Sequence, residues 1–591
     1  MSIIVQKFGG TSVADSQKIL SAARKAIRAK NEGNQVVMVV SAMGKTTDVL
    51  VDLAGQISDD PPAREMDMLL STGEQVTVAL MAMAINSLGH EAISMTGGQL
   101  GIRTDSTHTK ARIHSIDSQR IHAALDGGKV VIAAGFQGVD ESSNITTLGR
   151  GGSDTTAVAI AAAVGAASCE IYTDVDGVYT TDPRLVPEAR RVPRISYDEM
   201  LELASLGAGV MHNRSIEFAK RFGATVHVRS SFSDDAPGTV ISSQPESLTR
   251  PVCGAALIKD EAWVTVQGVP DRPGAASTIF SKIAGKKIGM DMIVQNVGAE
   301  GQADISFSVF RADLARTLKA VEEACEELGA GTYTCDDNVS KVSVVGLNMA
   351  TQTGVAERMF RALAEKGINL QMITTSEIKI SVLVAREYAV EALRTVHEVF
   401  GLSQPPEDAE ETQPEEPLAD KGRNGVLARL HGMEDLIIDE ISLDVSQARV
   451  TLPGVPDTPG LAAQVFDEIA ESGTIVDMIV QSIGRQGQAA LSFTVAKEHL
   501  EKCLGIATSL AEGFGGQKPT SSPEVAKLSV SGIGMRSHTS VAQRTFQSLA
   551  DNGINIEMIS TSEVRMNVVV DGQHGHKALE LLQKEFKEAM A

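Results

Sequence analysis

A glycine-rich turn after the first predicted strand is the first candidate for chemistry. The segment Lys7–Ser12 reads KFGGTS and runs into a predicted helix. Gly9 and Gly10 would let backbone N–H groups approach an anion, the helix N-terminus adds partial positive charge, and Lys7 adds a full charge. This suits a polyphosphate, although the segment is neither a G-x-x-x-x-G-K-[ST] loop nor a G-x-G-x-x-G fingerprint. A plain glycine turn with a surface lysine explains the segment equally well.

A second turn, Thr146–Thr156, surrounds an arginine with glycines. It reads TTLGRGGSDTT and leads into an apolar helical stretch. Ser153 or Asp154 could cap that helix, which explains part of the pattern. The glycines around Arg150 need a further reason: a guanidinium is a planar fork that matches a carboxylate or phosphate, and glycines leave room for the ligand. The segment predicts a site for a small anionic substrate.

Other polar segments follow predicted strands or interrupt apolar stretches. They are Val40–Asp48, Leu70–Gln75 and Thr173–Arg184. The last one lacks the glycine and glutamate positions of a calcium-binding EF-hand loop. Glu74 lies in an apolar stretch, so its carboxylate needs a partner, either a substrate ammonium group or a structural lysine or arginine. His212 and His227 have no neighbouring metal-ligand pattern and are predicted to be structural.

Alternating strands and helices must position these segments. Strand-like apolar runs are Ile3–Val5, Val36–Val40, Val130–Ala134, Glu170–Tyr172 and Thr225–Val228, and helical stretches include Gln17–Lys30, Met66–Leu88 and Asp154–Ala166. This alternation predicts βαβ units and a mostly parallel sheet covered by helices on both faces. Ligands then bind at the carboxyl ends of the strands, which is where the polar turns lie.

The rest of the chain contains an internal repeat. Motifs that begin at Asp271, Asp291 and Gly367 recur at Asp457, Asp477 and Gly553, a constant offset of 186 residues (457 − 271, 477 − 291 and 553 − 367). A weaker half-repeat, Asp291 against Gln371 (371 − 291, or 80 residues), divides each copy into two modules. Each module has a βαββα pattern closed by a last strand, which is typical of compact α+β modules rather than of short solenoid units.

An acidic, proline-rich stretch separates the two pairs of modules. Residues 404–417 contain six acidic side chains and four prolines, with no bulky apolar side chain. Such a composition predicts an extended linker, with an acidic interaction tail as the alternative. We therefore predict an α/β domain over 1–245, modules over 260–337, 338–402, 445–522 and 523–591, and a linker over 403–422.

Composition and charge narrow the classes of function. The chain of 591 residues has a formal net charge of −22 and only 4% aromatic residues. We expect no nucleic-acid partner, because the negative field repels phosphate backbones and few rings are available for base stacking. The five cysteines show no C-x-x-C spacing, and the longest apolar run, Ala157–Ala167, is shorter than the ~20 residues of a membrane span. We expect a cytoplasmic protein that is neither exported nor embedded in a membrane.

The polar segments, in this order, resemble those of the aspartate kinases of the amino-acid kinase superfamily. The matching motifs are Lys7–Val13 (KFGGTSV), Ser41–Gly44 (SAMG), Ser71–Glu74 (STGE), Gly149–Asp154 (GRGGSD) and Thr173–Tyr179 (TDVDGVY). The modules look like ACT regulatory domains, and the four-module form resembles the cyanobacterial-like members. The resemblance implies an amino-acid-kinase-like α/β fold followed by four ferredoxin-like βαββαβ modules. It implies transfer of the γ-phosphoryl group of MgATP to the side-chain carboxylate of L-aspartate, the first step of lysine, threonine and methionine biosynthesis.

The resemblance also implies roles for individual residues. Lys7 and Asp154 are the expected catalytic residues, with Asp154 orienting the lysine. Aspartate would be bound by Ser41, Thr47, Glu74, Arg150, Gly151, Gly152 and Ser153, with Arg150 on its α-carboxylate and Glu74 on its ammonium group. ATP, with Mg²⁺, would be bound by Lys7, Phe8, Gly9, Gly10, Thr173, Asp174, Tyr179 and Arg184. This chain has Gly209 where many members have a lysine, so no lysine role is carried over to that loop.

By the same resemblance, the modules are expected to bind lysine and/or threonine as end-product inhibitors between paired modules. The first site would comprise Asp271, Gly274, Ala275, Asp291 and Gln295, with Asn369 and Thr374 from the second module. The second site would comprise Asp457, Gly460, Leu461, Asp477 and Gln481, with Asn555 and Ser560 from the fourth module. The Asp-x-Pro-Gly motif is also explained by a plain helix start. Side-by-side ACT modules further imply a homodimer or a larger homo-oligomer.

Other functions are compatible with the sequence. One is a kinase for another acidic amino acid, of the glutamate or N-acetylglutamate type. Another is a non-catalytic amino-acid sensor, although the presence of Lys7, Arg150 and Asp154 argues against it. A fused homoserine dehydrogenase is not expected, because the modules occupy the residues after Thr239 and no dinucleotide loop appears.

Overall fold

The described part of the chain packs as two units. The computed structural model describes residues 1–207, 209–234, 236–297, 302–349, 352–409, 432–483, 488–535 and 540–590. The first unit comprises Met1–Tyr179, Arg191–Glu246 and the described part of Ala409–Asp435, and the second comprises Thr180–Arg190, Ser247–Asp408 and the rest from Leu436 onward. Most of the predicted linker and Ala208 lie outside the described residues.

The first unit is built on an eight-stranded sheet. Its strands and those of a smaller sheet are β1 (Ile3–Phe8), β2 (Gln35–Val40), β3 (Ala92–Met95), β4 (Ile102–Thr104), β5 (Ile113–Ile116), β6 (Val130–Ala134), β7 (Gln137–Val139), β8 (Ile145–Thr147), β9 (Ser168–Thr173), β10 (Arg194–Ser196), β11 (Val226–Ser230) and β12 (Thr239–Ser242). Its helices are α1 (Ser16–Asn31), α2 (Thr46–Gly55), α3 (Ala63–Ser87), α4 (Gln119–Asp126), α5 (Gly152–Val164), α6 (Tyr197–Ser205) and α7 (Asn213–Phe222).

The main sheet has the order β10-β12-β11-β9-β1-β2-β6-β3. Its central strands are parallel, which confirms the predicted α/β class, whereas β11 and β12 pair antiparallel. β2 reads QVVMVV and is almost wholly buried, as expected of a parallel strand covered on both faces. Because parallel strands share one polarity, the turns after β1, β2, β6, β9 and β11 gather at one edge. This edge carries the candidate site.

Helix α3 packs with α1 against the sheet through Met81 and Ile85. The helix is long and apolar enough to cross a membrane by length and composition, but 56% of its apolar window is buried inside the protein. A buried core helix passes the same test, so α3 is weak evidence for a membrane segment.

The second unit contains four modules. Its strands are β13 (Gly254–Pro270), β14 (Met290–Val297), β15 (Gln302–Phe310), β16 (Thr332–Val345), β17 (Met372–Thr375), β18 (Lys379–Ala385), β19 (Ile437–Asp444), β20 (Gln447–Pro456), β21 (Val476–Ile483), β22 (Gln488–Ala496), β23 (Thr520–Ser522), β24 (Val525–Ile533), β25 (Ile556–Thr561) and β26 (Arg565–Asp571). Its helices are α8 (Ala275–Gly285), α9 (Leu314–Leu328), α10 (Val355–Glu365), α11 (Ala389–Val399), α12 (Leu461–Glu471), α13 (Leu500–Phe514), α14 (Ser540–Asp551) and α15 (Gly575–Glu585).

The second and fourth modules are not contiguous segments, which corrects the predicted boundaries. The start of β13, residues 254–258, pairs with the end of β16 and so belongs to the second module, whereas residues 261–267 pair with the start of β16 in the first. In the same way, β19 precedes the third module in sequence but pairs with β24 of the fourth. The first module is therefore inserted after the first strand of the second module, and the third module is inserted after the first strand of the fourth. A repeat search misses this because the first strand is cut off from its module.

The modules pair in a crossed order, so the pairing expected from sequence neighbours is wrong. β17 of the second module pairs antiparallel with β21 of the third, and Asn369 Nδ2 donates to Asp457 Oδ1 at 2.8 Å. Asn555 Nδ2 of the fourth module donates to Asp271 Oδ1 of the first at 2.7 Å. Each of these pairs also shares a hydrophobic core. The physical reason is that the first and second modules are already joined through β13 and β16. Their remaining edge strands are therefore free to pair with the third and fourth modules.

One segment predicted for the first domain belongs to the second unit. Thr180 Oγ1 lies 3.0 Å from His397 Nε2, and Arg394 Nε donates to the carbonyl of Leu185 at 3.0 Å. Val186 is buried in the core of the second and third modules. These contacts hold Thr180–Arg190 on α11, which explains why a contiguous 1–245 domain is not observed.

Candidate active site

Lys7 and Asp154 form an ion pair at the end of β1. Their Nζ and Oδ1 atoms are 2.6 Å apart, and the two side chains are 11% and 14% exposed. Asp154 lies in the first turn of α5, and Lys7 is the penultimate residue of β1. A Cβ on Gly9 would lie 3.4 Å from the lysine Nζ, so the glycine turn passes directly over the charge. The pair holds a cation at the carboxyl edge of the sheet, where it can meet an anion.

The turns after β1 and β2 interlock. The Gly44 N–H donates to the carbonyl of Gly10 at 3.0 Å, and the Ser41 N–H donates to that of Phe8 at 3.1 Å. A Cβ on Gly10 would lie only 2.8 Å from the carbonyl oxygen of Ala42. Glycine is therefore required at this position by close approach of the backbone. The turn leads into a short 3-10 helix and not directly into the predicted α-helix, since α1 begins only at Ser16.

The arginine turn is shaped by its glycines. Gly149 and Gly151 have φ angles of +78° and +73°, which favour glycine, and a Cβ on Gly151 would lie 2.4 Å from the His212 Cβ. A Cβ on Gly135 would meet Ser153 Oγ at 2.7 Å, which ties this turn to the end of β6. Arg150 is exposed and makes no ion pair with any described residue. It is available for a ligand carboxylate.

Glu74 is buried on α3 without a cation. Its Oε1 accepts the Ala42 N–H at 3.0 Å, and its Oε2 is buried with no hydrogen-bond partner among the described residues. Burial raises the pKa of Glu74 from 4.5 to about 7, although the Ala42 hydrogen bond opposes this shift. A carboxylate in this setting is stabilised by an incoming cation. No described lysine or arginine pairs with it, which favours the substrate ammonium group over a structural partner.

If Glu74 binds the substrate ammonium group, as the resemblance implies, the pH dependence of aspartate use should report on its carboxylate. Because protonation removes the charge, kcat/KM for aspartate should fall by about tenfold per pH unit below about 7. Glu74→Gln should remove this fall in kcat/KM at low pH and lower kcat/KM at pH 8 by roughly 10- to 100-fold.

The raised pKa of Glu74 also affects stability, because the folded state binds the proton more tightly than the unfolded state. Stability should therefore decrease as the pH rises from 4.5 to about 7 in the native protein and less so in the variant.

Glu65→Gln is the matched control, because Glu65 lies on the same helix with an exposed side chain. If kcat/KM of Glu74→Gln still falls below about pH 7, Glu74 is excluded as the titrating group.

The residues predicted for the nucleotide lie in both units. Phe8 stacks on Tyr172 with ring centroids 4.7 Å apart, and Thr173 ends the neighbouring strand β9. Thr173 Oγ1 donates to Asp174 Oδ1 at 3.2 Å, and the Tyr179 hydroxyl donates to Asp176 at 2.9 Å. Arg184 belongs to the second unit and pairs with Asp182 at 2.7 Å. The other residues lie in the unit that holds Lys7, and nucleotide binding by any of them stays a prediction.

The sequence interpretation missed Asp67, whereas His212, predicted to be structural, packs against the arginine turn. Asp67 is fully buried on α3 and accepts hydrogen bonds from the Thr147 hydroxyl at 2.5 Å and the Thr109 N–H at 3.0 Å, with His108 Nδ1 at 2.7 Å. It thereby fixes the strand that leads to Arg150. A carboxylate two helical turns before Glu74 on the same apolar helix was the available signal. His212 precedes α7 and packs on Gly151, and burial, with Arg214 and Arg150, lowers the pKa of its imidazole.

The predicted effector residues are divided among several environments. Asp457, Gly460, Leu461 and Gln481 line a cavity of about 10 Å³ together with Asn369, which is room for little more than a water molecule. Asp477 instead lines a cavity of about 270 Å³ with Glu357 and Glu377. Gly274 and Gly460, both at φ +94°, precede α8 and α12.

Several of the remaining effector residues already have protein partners. Asp291 and Asp477 pair with Lys341 and Lys527 at 2.5 and 2.7 Å. Gln295 Nε2 donates to the carbonyl of Ile556 at 2.8 Å, Gln481 Nε2 to that of Leu370 at 2.7 Å, and Ser560 Oγ to that of Thr375 at 2.6 Å. Ala275 and Thr374 are buried at the start of α8 and within β17. Ligand binding by these residues stays a prediction.

Comparison with known proteins agrees with this architecture. The amino acid kinase family model matches residues 2–230, and the ACT domain model matches residues 342–400 and 528–586. Aspartate kinase Ask_LysC of Stutzerimonas stutzeri (strain A1501) is 50% identical over 407 residues, which cover 68% of this chain and 98% of that protein.

Solved structures agree as well. The crystal structure of aspartate kinase from Synechocystis matches with a TM-score of 0.52 and 39% identity, covering 99% of this chain and 98% of that one. E. coli aspartokinase III in complex with aspartate and ADP matches with a TM-score of 0.57 and 25% identity, covering 67% of this chain and 99% of that one. Because the chain spans nearly the whole of a relative with which it shares half of its aligned residues, it belongs to the aspartate kinase family.

Proposed function

We propose that this chain transfers the γ-phosphoryl group of MgATP to the side-chain carboxylate of L-aspartate, giving 4-phospho-L-aspartate and ADP. The observation that carries the proposal is that, within the described part of the chain, Arg150 has no ion-pair partner and the buried Glu74 of the same unit has an Oε2 without a hydrogen bond. A free amino acid offers a carboxylate and an ammonium group to complement these two side chains. The complex of E. coli aspartokinase III with aspartate and ADP supports the same choice of substrates.

The chemistry requires positioning and charge rather than a base. The aspartate side chain is already ionised at pH 7, so no group has to remove a proton from the nucleophile. The obstacle is repulsion between two anions. Lys7, held by Asp154, supplies a positive charge at the transferring group, and the Gly9–Gly10 turn brings backbone N–H groups close. Ser41, Thr47, Gly151, Gly152 and Ser153 complete the proposed aspartate pocket.

Mg²⁺ would reach the site mainly with the nucleotide. The described residues contain no group of three His, Cys, Asp or Glu side chains that could hold a metal ion. Magnesium often takes most of its ligands from phosphate oxygens and water, with one or two carboxylates from the protein. Among the residues proposed for the nucleotide, Asp174 at the carboxyl end of β9 would supply a carboxylate for this purpose, since Asp154 is paired with Lys7. The ion would neutralise charge that develops on the phosphoryl oxygens.

Glu74 would discriminate against N-acylated substrates but not against glutamate. An N-acylated amino acid such as N-acetylglutamate has no cation to offer, so it would leave a buried carboxylate unpaired. Glutamate differs from aspartate by one methylene, which a pocket rejects only by about 10- to 200-fold. Glutamate is therefore the substrate to compare directly with aspartate.

Hydroxylamine trapping tests the proposal. The full chain with MgATP, L-aspartate and hydroxylamine should form aspartyl hydroxamate, because an acyl phosphate reacts with this nucleophile. Rates with L-glutamate and N-acetyl-L-glutamate should be at least about tenfold lower. Absence of any hydroxamate, together with effector binding but no ATP binding in calorimetry, would leave the non-catalytic sensor as the function.

We propose that lysine and/or threonine inhibit the enzyme at the crossed module pairs. The cavity of about 270 Å³ lies between the second and third modules, and its carboxylates Glu357, Glu377 and Asp477 pair with Arg361, Arg565 and Lys527, so a bound amino acid would have to compete with these ion pairs. The proposed regulatory region is the four modules of the second unit, and the proposed assembly is a homodimer. All five cysteines are free, which suits the proposed cytoplasmic location.

A further inference from the structure

A short stretch after the predicted linker, Gly432–Asp435, is anchored on the first unit. The Met433 side chain is buried, and its N–H donates to the carbonyl of His114 at 3.3 Å. On the other side, Arg221 Nη1 donates to the carbonyls of Met433 and Asp435, both at 3.0 Å. Backbone contacts on both sides therefore fix the position of Glu434 between them.

Glu434 forms a bidentate ion pair with Arg214 on α7. The Arg214 Nη2 atom is 2.7 and 2.8 Å from the two carboxylate oxygens, and its Nε is 3.1 Å from Oε1. Glu434 Oε2 also accepts the Ile113 N–H at 3.0 Å. The two side chains are only 17% and 11% exposed, and burial raises the pKa of the Glu434 carboxyl. A buried guanidinium depends on such a partner, because an uncompensated charge is costly there.

The same guanidinium holds the strand that enters the arginine turn. Arg214 Nη1 donates to the carbonyl of Leu148, and Nη2 donates to that of Ala111 at 2.9 Å. Leu148 is the residue directly before the Gly149–Ser153 turn. Two residues before Arg214, His212 packs against Gly151 on the same turn. The start of α7 therefore supports the turn at both Leu148 and Gly151.

We propose that Glu434 is a positioning residue for the aspartate site: it fixes Arg214, and Arg214 fixes the backbone that carries Arg150. The inference rests on the proposed function, in which Arg150 binds the aspartate α-carboxylate. The turn itself has little stiffness, since glycines occupy positions 149, 151 and 152. Its geometry must therefore come from outside, and Arg214 bonds directly to its entry.

This stretch also connects the aspartate site to a regulatory module. Leu436 follows Asp435, and β19, the first strand of the fourth module, begins at Ile437. The fourth module contributes Asn555, which bonds to Asp271 of its partner module. Only two residues of chain, Asp435 and Leu436, separate Glu434 from the first strand of this module.

Kinetics of Glu434→Gln in the full-length chain test the inference. The amide keeps the size of the side chain but cannot neutralise Arg214. We expect the KM and the calorimetric Kd for L-aspartate to rise by about 10- to 100-fold, with the KM for ATP within about twofold of the native value. Arg214→Lys cannot bind Glu434 and the carbonyls of Leu148 and Ala111 at the same time, so it should also raise the KM for aspartate and leave the KM for ATP unchanged. The double variant should have an aspartate KM close to that of either single variant, because both substitutions break the same chain of contacts.

Asp435→Asn is the matched control: it removes one negative charge from the neighbouring, exposed side chain and should leave both KM values unchanged. A native aspartate KM in folded Glu434→Gln would overturn the inference, as would an equal rise in both KM values or a loss of kcat alone. Should Glu434→Gln fail to fold, Arg214→Lys decides by the same criteria. If the native chain neither binds nor phosphorylates aspartate, the proposed function itself fails, a result that no Glu434 variant can produce.

Discussion

Lys7→Ala should lower kcat by about 100- to 1,000-fold at saturating aspartate and ATP. The lysine places a full, largely buried positive charge beside the Gly9 turn, and in the proposed reaction that charge stabilises the transferring phosphoryl group. Because this interaction strengthens as charge develops, its loss should appear in kcat more than in the KM for aspartate. Release of ADP, coupled to an indicator enzyme, measures the effect.

The ion pair with Asp154 complicates this variant and also provides its control. Removing one partner of a largely buried pair costs on the order of 3–5 kcal/mol of stability, because the other charge is left uncompensated. Lys7→Ala combined with Asp154→Asn should recover much of that stability and none of the activity. Arg24→Ala, which removes an exposed positive charge from α1, should change neither. A folded Lys7→Ala protein with kcat within a few fold of native would disprove the proposed role.

Arg150→Ala should raise the KM for L-aspartate by about 100-fold while leaving the KM for ATP within about twofold. Arg150 is exposed and unpaired among the described residues, so its removal breaks no ion pair of the protein. The expected change in stability is within about 0.5 kcal/mol. Steady-state kinetics with each substrate varied in turn, together with thermal unfolding, measure both expectations.

Arg150→Lys should restore only part of the affinity, because an ammonium group cannot match both carboxylate oxygens in one plane. Arg103→Ala, which removes another exposed arginine from the same unit, is the control for a loss of general positive potential. A large rise in the KM for ATP with unchanged aspartate KM would reassign Arg150 to the nucleotide.

Periodicity predicted much of the first unit. The runs Val36–Val40 and Val130–Ala134 appear almost unchanged as β2 and β6, because strands buried on both faces need continuous apolar residues. The glycine turns also lie where the prediction put them, since parallel strands send their loops to one edge. Thr180–Arg190 was assigned to the wrong unit, because its contacts with His397 and Arg394 span more than 200 residues of sequence. Glu434 escaped notice for the same reason.

The amino-acid sequence alone predicted four similar modules, the residues that correspond between the two copies, and an anion site at the glycine turn around Arg150. That no cation pairs with Glu74 among the described residues emerges only in the folded chain, because a side chain's partners depend on burial and on distant strands. The crossed pairing, in which Asn369 contacts Asp457 and Asn555 contacts Asp271, is likewise visible only in the fold. Repeated modules expose similar edge strands, so the sequence of any one edge fits several others. The choice among them is made by the long strands β13 and β16, which join the first two modules and leave their free edges to the second copy.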